Sequence, residues 1–235
     1  MTAIERRTPD AITPCVTETP LIAIEALRVT AQGRVILDLP LWTLPQGGQA
    51  LLLGPSGCGK TTLLHALSGL IRPEQGTVAI MGKDLASLAT EKLDRFRGQA
   101  FGIVFQTLRL VRSLTVEQNL ALALALAGKP KDRARIFEAL ERVGVAHLAT
   151  ALPERLSVGE GQRAAIARAI VTRPGLILAD EPTSALDDAN AHKAVDLLQV
   201  EAQACGAGLV IATHDQRIKD RFDLRLELTA PKVIQ

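Results

Sequence analysis

The chain has 235 residues, 47% of them apolar, which is long for one domain, short for two and too apolar for global disorder. Its 27 basic and 25 acidic side chains leave a formal net charge of +2, and aromatics make up 3% with no tyrosine. That balance offers no basic footprint and no base-stacking platform, so a nucleic-acid partner is not expected. Three scattered cysteines (Cys15, Cys58, Cys205) have no metal spacing and fit a reducing compartment. The longest apolar run, Leu120 to Ala127, is too short for a bilayer, which needs about 20 residues. No apolar signal segment stands near Glu5, Arg6, Arg7 and Pro9, so a cytoplasmic location is expected.

Residues 1 to about 20, with Pro9, Pro14 and Pro20 among threonines and charges, read as a flexible tail. Leu21 to Val29 and Val35 to Leu44 are partly alternating apolar runs split by Gln32-Gly33, which predicts two antiparallel strands. Gln49 to Leu53 is a short buried strand that ends in a glycine-rich loop. Thr61 to Ile71 is apolar at helical spacing and is stopped by Pro73. Gly76 to Met81 and Ala100 to Phe105 predict further strands. From about Asp84 to Leu156 the character turns helical. There Ile136, Phe137, Leu140 and Val143 form one apolar stripe, with Glu138 and Arg142 at i,i+4 on the polar side. A helix (Gly161 to Val171), a buried strand (Leu176 to Ala179), a helix (Asp188 to Ala204) and a strand (Leu209 to Thr213) complete the chain. Strands alternating with helices predict an α/β fold with a mostly parallel sheet, all in one domain over 21–235. The helical stretch at about 84–156 reads as an inserted subdomain.

Gly54-Pro55-Ser56-Gly57-Cys58-Gly59-Lys60-Thr61 fits G-x-x-x-x-G-K-[ST], between a strand and a helix as that motif requires, with Thr62 next. Its glycines let successive N–H groups curl around a polyphosphate, and the helix that follows points its positive end at the same charge. Lys60 would reach the β- and γ-phosphates, and the Thr61 hydroxyl would bind Mg²⁺. Cys58 reads as a small filler. Leu176 to Glu181 is an apolar strand ending in two acids, which carries Asp180 to the carboxyl edge of a parallel sheet, where ligands bind. Asp180 is the candidate Mg²⁺ residue, and Glu181 the candidate base that polarises a water for attack on the γ-phosphate.

Between these elements, Leu156-Ser157-Val158-Gly159-Glu160-Gly161-Gln162-Arg163 resembles the signature motif of ATP-binding cassette (ABC) ATPases, L-S-G-G-Q-x-Q-R. Gln106 resembles the glutamine of the family's Q-loop, Ser184-Ala185-Leu186-Asp187 its D-loop, and His214 the histidine of its H-loop. The resemblance covers nearly the whole chain after residue 20. It implies a P-loop NTPase (RecA-like) core with an N-terminal antiparallel β subdomain and an inserted helical signature subdomain. It also implies that two cassettes pair head to tail, as a homodimer or heterodimer, around two ATP molecules. Ser157 and Gly159 of one chain would then face the γ-phosphate held by the other, with Asp187 nearby. Gln106, Lys60, Glu181 and His214 are the implied catalytic set, and Thr61, Gln106 and Asp180 the implied metal set.

The stretch from Phe105 to Leu120 resembles the export-type subunits of the lipoprotein-release, macrolide-efflux and cell-division group. This implies an integral membrane permease docking near the Q-loop, on the cytoplasmic face of the inner membrane, with Leu108, Leu110, Val111 and Leu114 lining a groove for a short helix. A soluble ABC ATPase acting on ribosomes or DNA, and a weakly hydrolysing regulatory cassette, are the competing readings. Two residues depart from the family pattern. No aromatic stands near Val29 to Gly33 to stack on adenine, so base recognition is expected to be weak. Val158 replaces a glycine, and a β-branched residue resists φ > 0, so either the signature loop avoids that conformation or the closed dimer carries the strain.

Overall fold

The computed structural model describes residues 19–184 and 186–229, without the side chains of Asp188 and Ala189. The expected flexible tail therefore lies, apart from Thr19 and Pro20, outside the described residues. In chain order the strands and helices are β1 (Ile22–Ala31), β2 (Arg34–Leu44), β3 (Gln49–Leu53), α1 (Lys60–Leu67), β4 (Gln75–Ile80), β5 (Lys83–Asp84), α2 (Thr90–Ala100), β6 (Phe101–Val104), α3 (Val116–Leu126), α4 (Arg133–Arg142), α5 (Val158–Ile170), β7 (Leu176–Asp180), α6 (Asp188–Cys205), β8 (Gly208–Thr213) and β9 (Leu224–Glu227).

β1 and β2 form the expected antiparallel hairpin, closed at Gln32 (φ 51°) and Gly33 (φ 74°), two left-handed residues as a tight hairpin turn demands. β4 and β5 extend it into a four-stranded sheet in the order β2-β1-β4-β5. The second sheet is parallel throughout, in the order β6-β7-β8-β3-β9. Its central strands read as unbroken apolar runs because both of their faces are covered. Leu51, Leu53, Ile177, Ala179, Leu209 and Ile211 enter a core shared with α3, α4, α5 and α6. The alternate residues Ala50, Leu52, Leu176, Leu178, Val210 and Ala212 enter a second core with α1 and the antiparallel sheet.

The structure moves several expected boundaries. α1 stops at Leu67, because Gly69 (φ 67°) turns the chain and its neighbour Leu70 donates back to His65 O, well before Pro73. β6 is the strand expected at Ala100 to Phe105, shortened by one residue at each end, and it pairs with β7 as an edge of the parallel sheet. β9, which carries two charges in four residues, was not expected as a strand; it is held by main-chain pairing to β3. The Glu138–Arg142 pair does not form. Arg142 instead reaches Glu201 on α6 at 2.8 Å, and Glu138 meets Arg173 at 3.3 Å.

α5 begins three residues earlier than expected. Ser157 caps it, with Glu160 N–H directed at the Ser157 hydroxyl (3.4 Å) and Ser157 N–H donating to the Glu160 carboxylate (2.8 Å), a reciprocal capping box. Val158 is thus the first helical residue. It is absent from the positive-φ positions and is 59% exposed, so in the single chain the loop avoids the strained conformation, the first of the two expected alternatives. The far end of α5 is fastened by cations, as a helix C-terminus favours. Arg135 donates to Val171 O at 2.6 Å, and Lys129 donates to Thr172 O.

Candidate functional site: the carboxyl edge of the parallel sheet

β3 leaves the sheet at Leu53 and turns through residues 54–59 into α1. Glycine is required at both ends of this loop. A Cβ at Gly54 would lie 2.5 Å from Cys58 Sγ and from Leu228 O, and one at Gly59 (φ 98°) would lie 2.8 Å from Ile36 O. The first turn of α1 carries no acid, so its N–H groups face an open, electropositive end. Cys58 is buried, as its role of filler requires. Lys60 is 6% exposed; its Nζ donates to Gly54 O (2.8 Å) and Pro55 O (3.1 Å) and lies 3.6 Å from Glu181 Oε1.

Neighbouring strands deliver the remaining groups to the same edge: Gln106 just past β6, Asp180 and Glu181 from β7, and Thr213 and His214 from β8, which lies between β7 and β3. The Thr61 hydroxyl donates to the Asp180 carboxylate at 2.9 Å. Burial pushes the Asp180 carboxyl above its ordinary range, because the charged form loses hydration; the Thr61 hydrogen bond opposes this. Glu181 sits at φ 47°, a left-handed backbone for a side chain-bearing residue, and its N–H donates to Ala212 O at 2.8 Å. Its carboxylate accepts from Thr213 Oγ1 at 2.9 Å and meets His214 Nδ1 at 2.9 Å. Behind it, Asp215 accepts from Thr183 Oγ1 at 3.0 Å, and hydrogen bonds from Arg217 hold its carboxyl down at about 2.

A cavity of about 300 Å³ opens above this edge, lined by Ser56, Gly57, Gly59, Lys60, Thr61, Thr62, Gln106, Glu181 and His214, with Ile36 on one wall. Gly54 and Pro55 contribute carbonyls below it. Ser157, Gly159 and Asp187 do not line it. Ser157 and Asp187 cap α5 and α6, and Gly159 borders a separate small cavity of about 50 Å³ between those helices. Sequence reasoning missed Ile36 and the anchoring role of Thr213. The hydroxyl beside His214 was a readable signal for the second; the first depends on how the hairpin folds over the loop.

The sequence model of the family described as "ABC transporter" matches residues 38–184. The lipoprotein-releasing system ATP-binding protein LolD of Treponema pallidum is 36% identical over 223 residues, spanning 92% of this chain and 98% of that protein. The chain belongs to the ABC transporter family. The ABC transporter ATP-binding protein YtrE of Bacillus subtilis is 39% identical over 186 residues, 78% of this chain and 80% of its own length. Among solved structures, the dimeric bacterial ABC transporter cassette MJ0796 superposes with a TM-score of 0.82 at 30% identity, over 91% of this chain and 97% of that one. A post-hydrolysis state of the same cassette, bound to ADP and phosphate, gives 0.81 at 29% identity, again over 91% and 97%. Nucleotide binding is therefore a family property, and the α/β P-loop NTPase fold is shared.

Among the described residues no cluster of three or more His, Cys, Asp or Glu side chains could cage a metal. The site does suit an ion that brings its own water and phosphate ligands, as Mg²⁺ does. Thr61 and Asp180 are adjacent hard oxygen donors, and a cation would offset the burial of the Asp180 charge. Beside β6 runs a second cavity of about 290 Å³, walled by Phe105, Val111, Leu122 and Leu126 with Arg109 and Arg168. Of the four residues expected to line a helix-binding groove, only Val111 does so. Leu110 packs into the core, Leu108 and Leu114 are half-buried, and α3 supplies the apolar wall instead. No helix among the described residues is long and apolar enough to cross a membrane.

Proposed function

We propose that this chain is the ATP-hydrolysing subunit of an export-type transport complex. It would pair with a second cassette around ATP and dock on a membrane permease at the cytoplasmic face through the groove between β6 and α3. Lys60 would bind the β- and γ-phosphates, and Thr61 and Asp180, with Gln106 alongside, would hold Mg²⁺. When bound, the ion neutralises charge on the phosphate oxygens. Glu181 would orient and polarise the attacking water, while His214 and Thr213 fix its carboxylate. Ser157 and Gly159, remote from their own cavity, would complete the partner's site, with N–H groups at the α5 start aimed at developing charge. One observation carries the reading. The Glu181 carboxylate, only 10% exposed, faces the phosphate loop and is held by Thr213 at the end of the adjacent strand and His214 just past it. The similarity to lipoprotein-releasing ATP-binding proteins supports the export assignment.

Glu181→Gln keeps the shape and removes the base. ATP turnover should fall at least a hundredfold while ATP binding persists, since a positioned base contributes about 10²–10⁴ in rate. Gel filtration with ATP should show more dimer than for the wild type. Turnover within twofold of wild type would remove Glu181 from the chemistry.

A further inference from the structure

Glu181 stands in a backbone conformation that its own chemistry disfavours. Its φ of 47° is left-handed, which a residue with a Cβ adopts only under constraint. Pro182 follows it, and the residue before a proline is pushed toward extended backbone instead. Strain of this kind persists only where the surroundings over-determine it. Glu181 is held directly by its N–H on Ala212 O and by its carboxylate on Thr213 Oγ1 and His214 Nδ1. The Thr213 hydroxyl in turn accepts from Asp215 N–H at 3.0 Å.

A further contact closes the same turn from beyond the base. Two residues past Glu181, Thr183 is 1% exposed, and its hydroxyl donates to Asp215 Oδ2 at 3.0 Å. Asp215 lies two residues past Thr213, with its side chain 9% exposed. Arg217 grips that carboxylate as well, Nη2 donating to Oδ2 at 2.6 Å and Nε to Oδ1 at 2.8 Å. The chain leaving β7 and the chain leaving β8 are thus tied at Glu181 and Thr213, and again at Thr183 and Asp215. On the β7 side only Pro182 stands between the ties, and its ring fixes its own φ. With Thr183 pinned and a rigid residue before it, Glu181 has little freedom to relax to extended backbone. Neither Thr183 nor Asp215 lines the nucleotide cavity, so any effect on the chemistry passes through the base.

We propose that Thr183 and Asp215 are positioning residues for the base: their hydrogen bond holds the Glu181 turn in its left-handed form and keeps the carboxylate on the phosphate loop. This rests on the reading of Glu181 as the base. A misplaced base costs rate without weakening nucleotide binding.

Thr183→Val keeps the branched shape and removes the donor, while Asp215 retains Arg217, so no buried charge is left alone. Its kcat for ATP should fall about tenfold, with ATP affinity measured calorimetrically unchanged. Thr183→Ser restores the hydroxyl and should return kcat to within about twofold of wild type. The valine substitution is then added to the Glu181→Gln protein and single-turnover hydrolysis compared. With the base gone there is nothing left to position, so the residual rate should change by less than about twofold. A wild-type kcat in Thr183→Val overturns the proposal, as does an equal loss in both backgrounds or a serine variant as slow as the valine one. If Glu181→Gln alone turns over like the wild type, the base reading itself falls and this inference falls with it.

Discussion

Arg142 and Glu201 join α4 to α6 across the boundary between the helical region and the parallel-sheet core. Glu201 is 3% exposed and Arg142 34%, so the acid is deeply buried while its partner still touches water. Their hydrogen bond holds the Arg142 guanidinium above its ordinary pKa. Arg142→Met keeps most of the aliphatic stem and removes the charge, leaving a buried carboxylate unpaired. Breaking a fully buried pair in this way costs about 3–5 kcal/mol. Water reaching the exposed side lowers that here to about 2–3 kcal/mol, discounting for screening. For a chain of this length each kcal/mol moves the melting temperature by about 2–4 °C, so Tm should fall by roughly 5–10 °C. The double variant Arg142→Met, Glu201→Leu has no stranded charge and should recover to within about 1 kcal/mol of wild type. Circular dichroism melts of the four proteins close the cycle. A single variant that melts with the wild type, or a double variant whose loss is the sum of its singles, would refute the argument.

Val158→Gly should leave ATP turnover within twofold of wild type and cost about 0.5 kcal/mol of stability, since an exposed first-turn valine in helical geometry gives way only to a poorer helix former. A several-fold rise in turnover would mean that Val158 is strained in the paired state. Asp215 has its carboxyl lowered from 3.8 to about 2 by Arg217, so the contribution of that pair is complete above the unfolded value and is lost as pH falls through about 2. The Tm gap between wild type and Asp215→Asn should therefore shrink between roughly pH 4 and pH 2. A gap that stays constant over that window would show that the Arg217 contact does not shift this group.

The parallel sheet and its phosphate loop were legible in the sequence because they are local. Leu51-Leu52-Leu53 before a glycine loop, and Leu176 to Asp180, declare buried strands through composition alone. What failed to show was what non-local contacts decide. Arg142 had a suitable partner four residues back, and tertiary packing gave it Glu201 instead. β9 lacks an apolar signature because it is an edge strand held by main-chain bonds. The start of α5 was written in the chain as S-x-x-E at Ser157 and Glu160, a helix-start signal hidden by reading the same residues as a ligand loop. That cap is what decides between the two readings of Val158, since it makes Val158 the first helical residue and keeps it out of positive φ.

The cations at the back of α5 turn that helix into a lever. Arg135 and Lys129 grip the carbonyls of Val171 and Thr172 at one end, and Ser157 stands at the other. Thirteen residues at 1.5 Å each put about 20 Å between grip and tip. A tilt of about 10° at the grip would sweep Ser157 through roughly 3 Å, a hydrogen bond's length, with no change inside the helix. Small adjustments where α4 meets α5 would therefore be magnified at the end proposed above to complete a partner's site.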